Sequence, residues 1–265
     1  MAKVRLDQLL VARGHAQSRE RAQALVLAGE VSVGGRIVDK AGTLVDDDAE
    51  VTVRTPDHPW VGRGGLKLDH ALDVFGVNVT DRTALDIGAS TGGFTHVLLE
   101  RGARQVVAVD VGHNQMAWRL RTDPRVIVIE RLNARSLKRD DLPPEVGPID
   151  IVTIDVSFIS LRYILPVVPP LVAPNGCVIA LVKPQFEAGR EEVGKGGIVA
   201  DPAVHARVVE EVARFAREVG LERAGLEASP IAGVAGNREF FLHLAADERP
   251  TTPPDLDRWI DDAVG

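Results

Sequence analysis

Four charged residues stand where a chain would ordinarily bury apolar side chains. Asp155 follows the apolar run Ile151-Val-Thr-Ile154, Lys183 follows Ala180-Leu-Val182, Glu239 precedes Phe240-Phe-Leu242, and Lys67 lies in Gly65-Leu-Lys-Leu68. A charge set against a buried strand is either locked in an ion pair or used in chemistry, and the sequence leaves both readings open. A glycine-rich stretch, Leu85-Asp86-Ile87-Gly88-Ala89-Ser90-Thr91-Gly92-Gly93-Phe94, suggests a ligand site. It follows a predicted strand and opens a helix, so the backbone can approach a ligand closely at a helix N-terminus. Its spacing is Gly-x-x-x-Gly-Gly, unlike the dinucleotide fingerprint, and a purely structural turn would look similar. The next predicted strand, Val106-Val-Ala-Val-Asp110, ends in a carboxylate 22 residues after Gly88. At that place an acidic group can accept both ribose hydroxyls of an adenosine. A third strand runs into Glu130-Arg-Leu-Asn133-Ala134. Asn133 there either meets an adenine edge or forms a turn.

These residues need a scaffold. From Thr83 onward, apolar strand-like runs alternate with helical segments, which predicts a mostly parallel sheet covered on both faces. Strands are expected near 84–88, 106–110, 126–130, 149–155, 177–183, 224–231 and 239–244, with helices over 92–101, 114–121, 160–171 and 203–219. Asp155, Lys183 and Glu239 then share one sheet edge if the last strand runs antiparallel, and Lys67 lies on a helix before the first strand. Residues 186–201, rich in glycine and charge, show neither pattern and read as a lid or a surface loop.

The first 54 residues read differently. Leu6, Leu9 and Leu10, then Ala22, Leu25 and Val26, recur at helical spacing and predict helices over 5–13 and 18–28, with Ser18 as N-cap and Gly29 as stop. Gly34-Gly35 joins Val31-Ser-Val33 to Arg36-Ile-Val38 as a tight hairpin, and apolar alternation returns over 49–53. A helix pair with so small a sheet suits binding better than catalysis. Five basic residues (Lys3, Arg5, Arg13, Arg19, Arg21) face two acidic ones (Asp7, Glu20) before Leu25, which marks a solvated helical face or a polyanion contact. Residues 55–61 carry two prolines and read as a linker.

Composition narrows the classes. With 265 residues, 45% of them hydrophobic, the chain suits one large domain and a small one. The net charge of −7 argues against a generic polyanion binder, with acidic residues gathered at 46–50 and from Asp247 onward. No apolar run reaches the roughly 18 residues of a membrane span, and no signal-peptide stretch is visible, so a cytoplasmic protein is expected. Cys177, the single cysteine, sits in an apolar run and reads as a strand residue. The histidines, at 15, 58, 70, 96, 113, 205 and 243, form no pair at helical ligand spacing, so no protein-held metal is expected.

The motifs together resemble the S-adenosylmethionine-dependent methyltransferases, and in detail the TlyA family, once called haemolysins. The resemblance rests on Trp60-Val-Gly-Arg-Gly-Gly-Leu-Lys67, Asp86 to Phe94, Val109-Asp-Val-Gly112, Ile154-Asp-Val-Ser-Phe-Ile-Ser160, Leu181-Val-Lys-Pro-Gln-Phe186 and Gly236-Asn-Arg-Glu-Phe-Phe241, and it covers nearly the whole chain. One departure is Thr91-Gly-Gly-Phe94, where FtsJ itself has Pro-Gly-Gly-Trp. The resemblance implies an α/β, Rossmann-like class I methyltransferase with a mostly parallel seven-stranded sheet, preceded by a small α+β S4-like RNA-binding domain. It divides the chain into an S4-like domain (1–54), a linker (55–61), an FtsJ-like catalytic domain (62–246) and an acidic tail (247–265). The implied activity is 2′-O-methylation of cytidine in ribosomal RNA, with S-adenosyl-L-methionine as cofactor, ribosomal RNA or ribosomal subunits as partners, and neither metal nor membrane.

FtsJ-like enzymes use a Lys-Asp-Lys-Glu tetrad, and Lys67, Asp155, Lys183 and Glu239 match its positions. Lys183 is then the base or the oxygen-aligning group, while Asp155 and Glu239 hold the lysines and Asp155 lies near the sulfonium. The cofactor would contact Asp86, Gly88, Ala89, Ser90, Thr91, Gly92, Gly93, Phe94, Asp110, Val111, Asn133, Ala134 and Asp155, and RNA would contact Arg5, Arg13, Arg19 and Arg21. The competing expectations are a membrane-active haemolysin and a catalytically silent RNA-binding or ribosome-assembly protein.

Overall fold

In the computed structural model, which describes residues 3–16, 18–27, 29–53, 58–246, 260 and 262–264, the chain divides between Pro59 and Trp60 into two units. Part of the expected linker (55–57) and most of the expected acidic tail lie outside the described residues.

The first unit runs β1 (Lys3–Arg5), α1 (Leu6–Ala12), α2 (Arg19–Leu27), β2 (Val31–Val33), β3 (Arg36–Ile37), β4 (Leu44–Asp46) and β5 (Val51–Val53). Leu6, Leu9 and Leu10 of α1 meet Ala22, Leu25 and Val26 of α2 over Val31 and Val45, because residues three and four apart share one helix face. Ser18 caps α2, its Oγ accepting from the Arg21 N–H at 3.2 Å. The β2–β3 hairpin turns through Gly34 and Gly35, whose φ of 54° and 76° are those a two-residue turn of this hand needs. β5 pairs with the other edge of β2. The antiparallel β1–β4 ladder was not expected, since each strand has only three residues and β1 runs straight into the helix that its sequence suggests.

The second unit runs α3 (Gly64–Val74), β6 (Thr83–Ile87), α4 (Gly93–Glu100), β7 (Gln105–Asp110), α5 (Trp118–Arg121), β8 (Val126–Glu130), β9 (Ile149–Ile154), β10 (Val172–Val182), α6 (Pro184–Glu187), α7 (Pro202–Glu218), β11 (Glu222–Ala228) and β12 (Phe240–Ala245). Its seven-stranded sheet has the order β11-β12-β10-β9-β6-β7-β8, and only β12 runs antiparallel to its neighbours. This is the expected Rossmann-like α/β sheet. The helix α7 starts on an Asp201 cap followed by Pro202 and packs Val208, Val209, Val212, Ala213 and Ala216 onto one face. Leu68 and Leu72 of α3, Val97 and Leu98 of α4, and Leu120 of α5 cover the other.

Two expected helices are corrected. Residues 160–171 form two short 3-10 turns, Leu161–Tyr163 and Leu165–Val167, because Pro166, Pro169 and Pro170 lack the N–H that a helix needs. Only the last turn of 114–121 is helical: Asn114 takes a φ of 58° and its N–H goes to Glu130 Oε1 at 2.7 Å instead of into a helix. Residues 186–201, which showed no pattern, contain the end of α6 and a 3-10 turn at Arg190–Glu192.

After β8 the chain crosses back to place β9 beside β6, so the carboxyl ends of these two strands diverge and open a crevice. The reversed direction of β12 brings its first residue to that same edge, where Phe240 pairs with Val182, the last residue of β10.

Candidate active site

Each of the four charged residues singled out by sequence reaches this crevice. Asp155 follows β9, and its N–H bonds Ile87 O at 2.9 Å, which fixes it beside the end of β6. Lys183 follows β10; its Nζ lies 2.5 Å from Asp155 Oδ1 and donates to Ser157 Oγ at 3.0 Å. Glu239 precedes β12, and Lys67 on α3 donates to its Oε2 at 2.5 Å. Both lysines are 8% exposed and Glu239 4%. The four groups form two ion pairs and line a cavity of about 520 Å³. Two amine–carboxylate pairs lining one cavity can hold an oxygen and accept its proton.

The glycine turn forms the adjoining wall. Gly88 has a φ of 87°, and a Cβ there would stand 2.4 Å from the Asp155 carbonyl oxygen, so only glycine lets the turn pass. Ser90 adopts a φ of 47° and donates its N–H to Asp110 Oδ2 at 2.8 Å, while the Gly112 N–H donates to Asp110 Oδ1 at 2.6 Å. Each carboxylate oxygen keeps a further lone pair for a ligand hydroxyl. A second cavity of about 470 Å³ extends past Asp110, Val111, Asn133 and Ala134, and shares Gly88, Ser90, Asp155, Ser157 and Phe158 with the first. Asn133 also caps a 3-10 turn, its side chain accepting from the Arg135 N–H at 3.1 Å, so it is a turn former that lines the cavity too. Ala89, Thr91, Gly93 and Phe94 line the first cavity.

A family model for FtsJ-like methyltransferases matches residues 60–246, and one for the S4 domain matches 4–51. The 16S/23S rRNA (cytidine-2′-O)-methyltransferase TlyA of Mycobacterium tuberculosis is 48% identical over 243 residues, covering 91% of this chain and 90% of that protein. The chain belongs to the TlyA family of FtsJ-like methyltransferases. Hemolysin A of Brachyspira hyodysenteriae is 38% identical over 91% of this chain and 99% of its own length. A solved Streptococcus thermophilus structure described as a hemolysin matches with a TM-score of 0.76 and 44% identity, covering 99% of this chain and 96% of that one.

Two cofactor residues expected from the TlyA resemblance do not reach either cavity wall. Asp86 is fully buried, accepting from Thr95 Oγ1 at 2.7 Å and Thr153 Oγ1 at 3.0 Å. Burial pushes its carboxyl up to about 6, while the two hydroxyls pull the other way. Its place is under the glycine turn, tying β6 to α4 and β9. Gly92 likewise turns the chain: its φ is 93°, and a Cβ would meet Leu120 at 2.4 Å.

Several lining residues escaped the sequence reading, among them Ser157, Phe158, Gln185, Phe186 and Asn237. Ser157, Phe158, Gln185 and Phe186 sit inside motifs whose charged members drew the attention. Asn237 is 1% exposed; its Oδ1 accepts from the Val199 N–H at 2.9 Å and its Nδ2 donates to Gly197 O at 2.8 Å, which fastens part of the irregular 186–201 stretch to the cavity wall.

The arginines of the S4 unit have structural duties. Arg5 and Arg19 donate to Asp7, whose side chain is fully buried and whose carboxyl is held well below the usual range, chiefly by the Arg5 guanidinium. Arg13 donates to Asp47 O and Ala49 O at 2.6 Å each, and Arg21 meets His58 Nδ1 at 3.0 Å. These contacts orient the four side chains. Cys177 is half-buried in β10, as its apolar run suggests. Among the described residues, no group of three or more His, Cys, Asp or Glu is placed to hold a metal ion.

Proposed function

We propose that this TlyA-family chain is an S-adenosylmethionine-dependent 2′-O-methyltransferase that acts on cytidine ribose in ribosomal RNA. The observation that carries the reading is the convergence of two buried amine–carboxylate pairs on a cavity continuous with the glycine turn and Asp110.

The residues present fit the cofactor. Gly88 lets the turn pass close under both cavities, Asp110 offers spare lone pairs to ribose hydroxyls, and Leu132, Ile164 and Val111 give the second cavity apolar walls for a purine. When bound, S-adenosylmethionine supplies an electrophilic methyl group and a neutral sulfide leaving group. The remaining obstacle is the weak nucleophilicity of a ribose hydroxyl. Lys183 would take the hydroxyl proton as that oxygen receives the methyl group, leaving the ribose 2′-O-methylated. Asp155 holds the resulting ammonium. Lys67, held by Glu239, presents a second ammonium to the same cavity and steadies the developing negative oxygen. The S4 unit supplies RNA affinity through Arg5, Arg13, Arg19 and Arg21.

The relatives named haemolysins belong to the same family, and no described helix is long and apolar enough to cross a membrane. The test is a map of 2′-O-methyl groups in ribosomal RNA from cells with and without the gene, paired with radiolabelled methyl transfer by the purified chain. A methylated cytidine that depends on the gene is expected. Identical maps together with no transfer in vitro would overturn the reading.

A further inference from the structure

Ser157 stands at the junction of the two cavities, two residues beyond Asp155 and on the same strand end. Its Oγ accepts a hydrogen bond from Lys183 Nζ at 3.0 Å while Asp155 Oδ1 lies 2.5 Å from the same nitrogen. The next residue, Phe158, holds a φ of 62°, a left-handed conformation rare for a bulky side chain. The backbone at this point is thus committed to one tight course, and Ser157 is carried with it.

We infer that Ser157 is a positioning residue for Lys183, setting the direction in which its amine meets the ribose hydroxyl. This inference rests on the methyl-transfer reading above. Ser157 takes one N–H bond of the lysine, and Asp155 stands beside the same nitrogen as its counter-charge, where Lys183 lines the substrate cavity. In the neutral amine the N–H given to Ser157 fixes the rotation of the nitrogen, and with it the direction of the lone pair. Asp155 alone would leave the amine free to rotate about its Cδ–Cε and Cε–Nζ bonds. Two partners fix it.

Loss of the hydrogen bond that orients the accepting amine predicts a fall in kcat of about ten-fold or more for Ser157→Ala. The fall should come without change in KM for ribosomal RNA or in cofactor affinity, because Ser157 acts through Lys183 and not on bound substrate. Ser157→Thr, which keeps the hydroxyl, should recover most of the rate. In a Lys183→Met background, where there is no amine to orient, adding Ser157→Ala should cost nothing further in single-turnover methylation. Calorimetric titration with S-adenosylmethionine checks that each variant retains its folded cofactor cavity. An active wild type whose Ser157→Ala variant keeps its kcat, loses rate through KM, or shows the same loss on top of Lys183→Met overturns the assignment. A wild type that transfers no methyl at all overturns the function reading and this inference with it, and that result is distinct because it appears before any variant is compared.

Discussion

The Lys67–Glu239 pair allows a sharp test of how a buried ion pair is balanced. Its two groups are 8% and 4% exposed and lie 2.5 Å apart. At an effective dielectric constant of about 20, that separation gives an attraction of about 7 kcal/mol, before desolvation is counted. Removing both groups from water cancels most of that gain, so the intact pair contributes little compared with apolar side chains of similar volume. Deleting one partner is different, because the other keeps its burial cost and loses its attraction. Lys67→Met and Glu239→Met should therefore each lower the unfolding free energy by about 3–5 kcal/mol, and the double substitution by no more than about 2 kcal/mol. Urea unfolding of the full chain followed by tryptophan fluorescence measures this. Trp60 and Trp118 belong to the second unit and the first 59 residues contain no tryptophan, so the signal reports the unit that contains the pair. Single-variant costs that simply add in the double variant, or that fall below about 1 kcal/mol each, refute the reasoning.

Three further outcomes follow from the same site. Lys183→Arg keeps a permanent cation that cannot accept a proton, so single-turnover methylation should drop by about 100-fold or more with cofactor affinity unchanged; turnover within a few-fold of wild type excludes Lys183 as the base. Asp110→Ala should weaken S-adenosylmethionine binding by about 1–3 kcal/mol in calorimetry, and an unaltered Kd removes Asp110 from the cofactor site. Asp86 binds its proton more tightly when folded, at about 6 against an ordinary 3.8. As pH rises through that window the unfolded chain gives up the proton first, so stability falls. Measured against Asp86→Asn, the wild type should lose about 2 kcal/mol between about pH 4 and pH 6, and a constant difference across that window contradicts the burial of a costly carboxylate.

The sheet was legible from its apolar runs, and part of the cavity lining from the charges set beside them. Asp155 and Lys183 were visible because a charge abutting Val-Thr-Ile154 or Ala-Leu-Val182 conflicts with burial, and Glu239 because it opens a strand at the same sheet edge and matches the tetrad motif. The strand positions followed from apolar runs. The helix expected over 160–171 was misread because its apolar residues carry a helical period, and Pro166, Pro169 and Pro170 outweigh that period. Asp86 was given to the cofactor because it sits inside the glycine motif, yet successive strand residues face opposite sides of the sheet, and its side chain turns toward Thr95 and Thr153. Ser157 and Asn237 were passed over because a serine and an asparagine in loops usually signify turns, and their partners, at Lys183 and at Gly197 and Val199, are 26 to 40 residues away in sequence.

The antiparallel insertion of β12 sets an order of arrival during synthesis. β11 leaves the ribosome before β12, yet β12 lies between β11 and β10 and bonds to both. Until it enters, β10 ends in an open edge and β11 has no neighbour in the sheet, an arrangement that invites pairing with another chain. Glu239 comes in with that last strand, and Lys67, made 172 residues earlier, has no buried counter-ion until then. A growing chain thus completes its charge pairs and closes its vulnerable edge in the same event, so no partly assembled sheet carries the full tetrad.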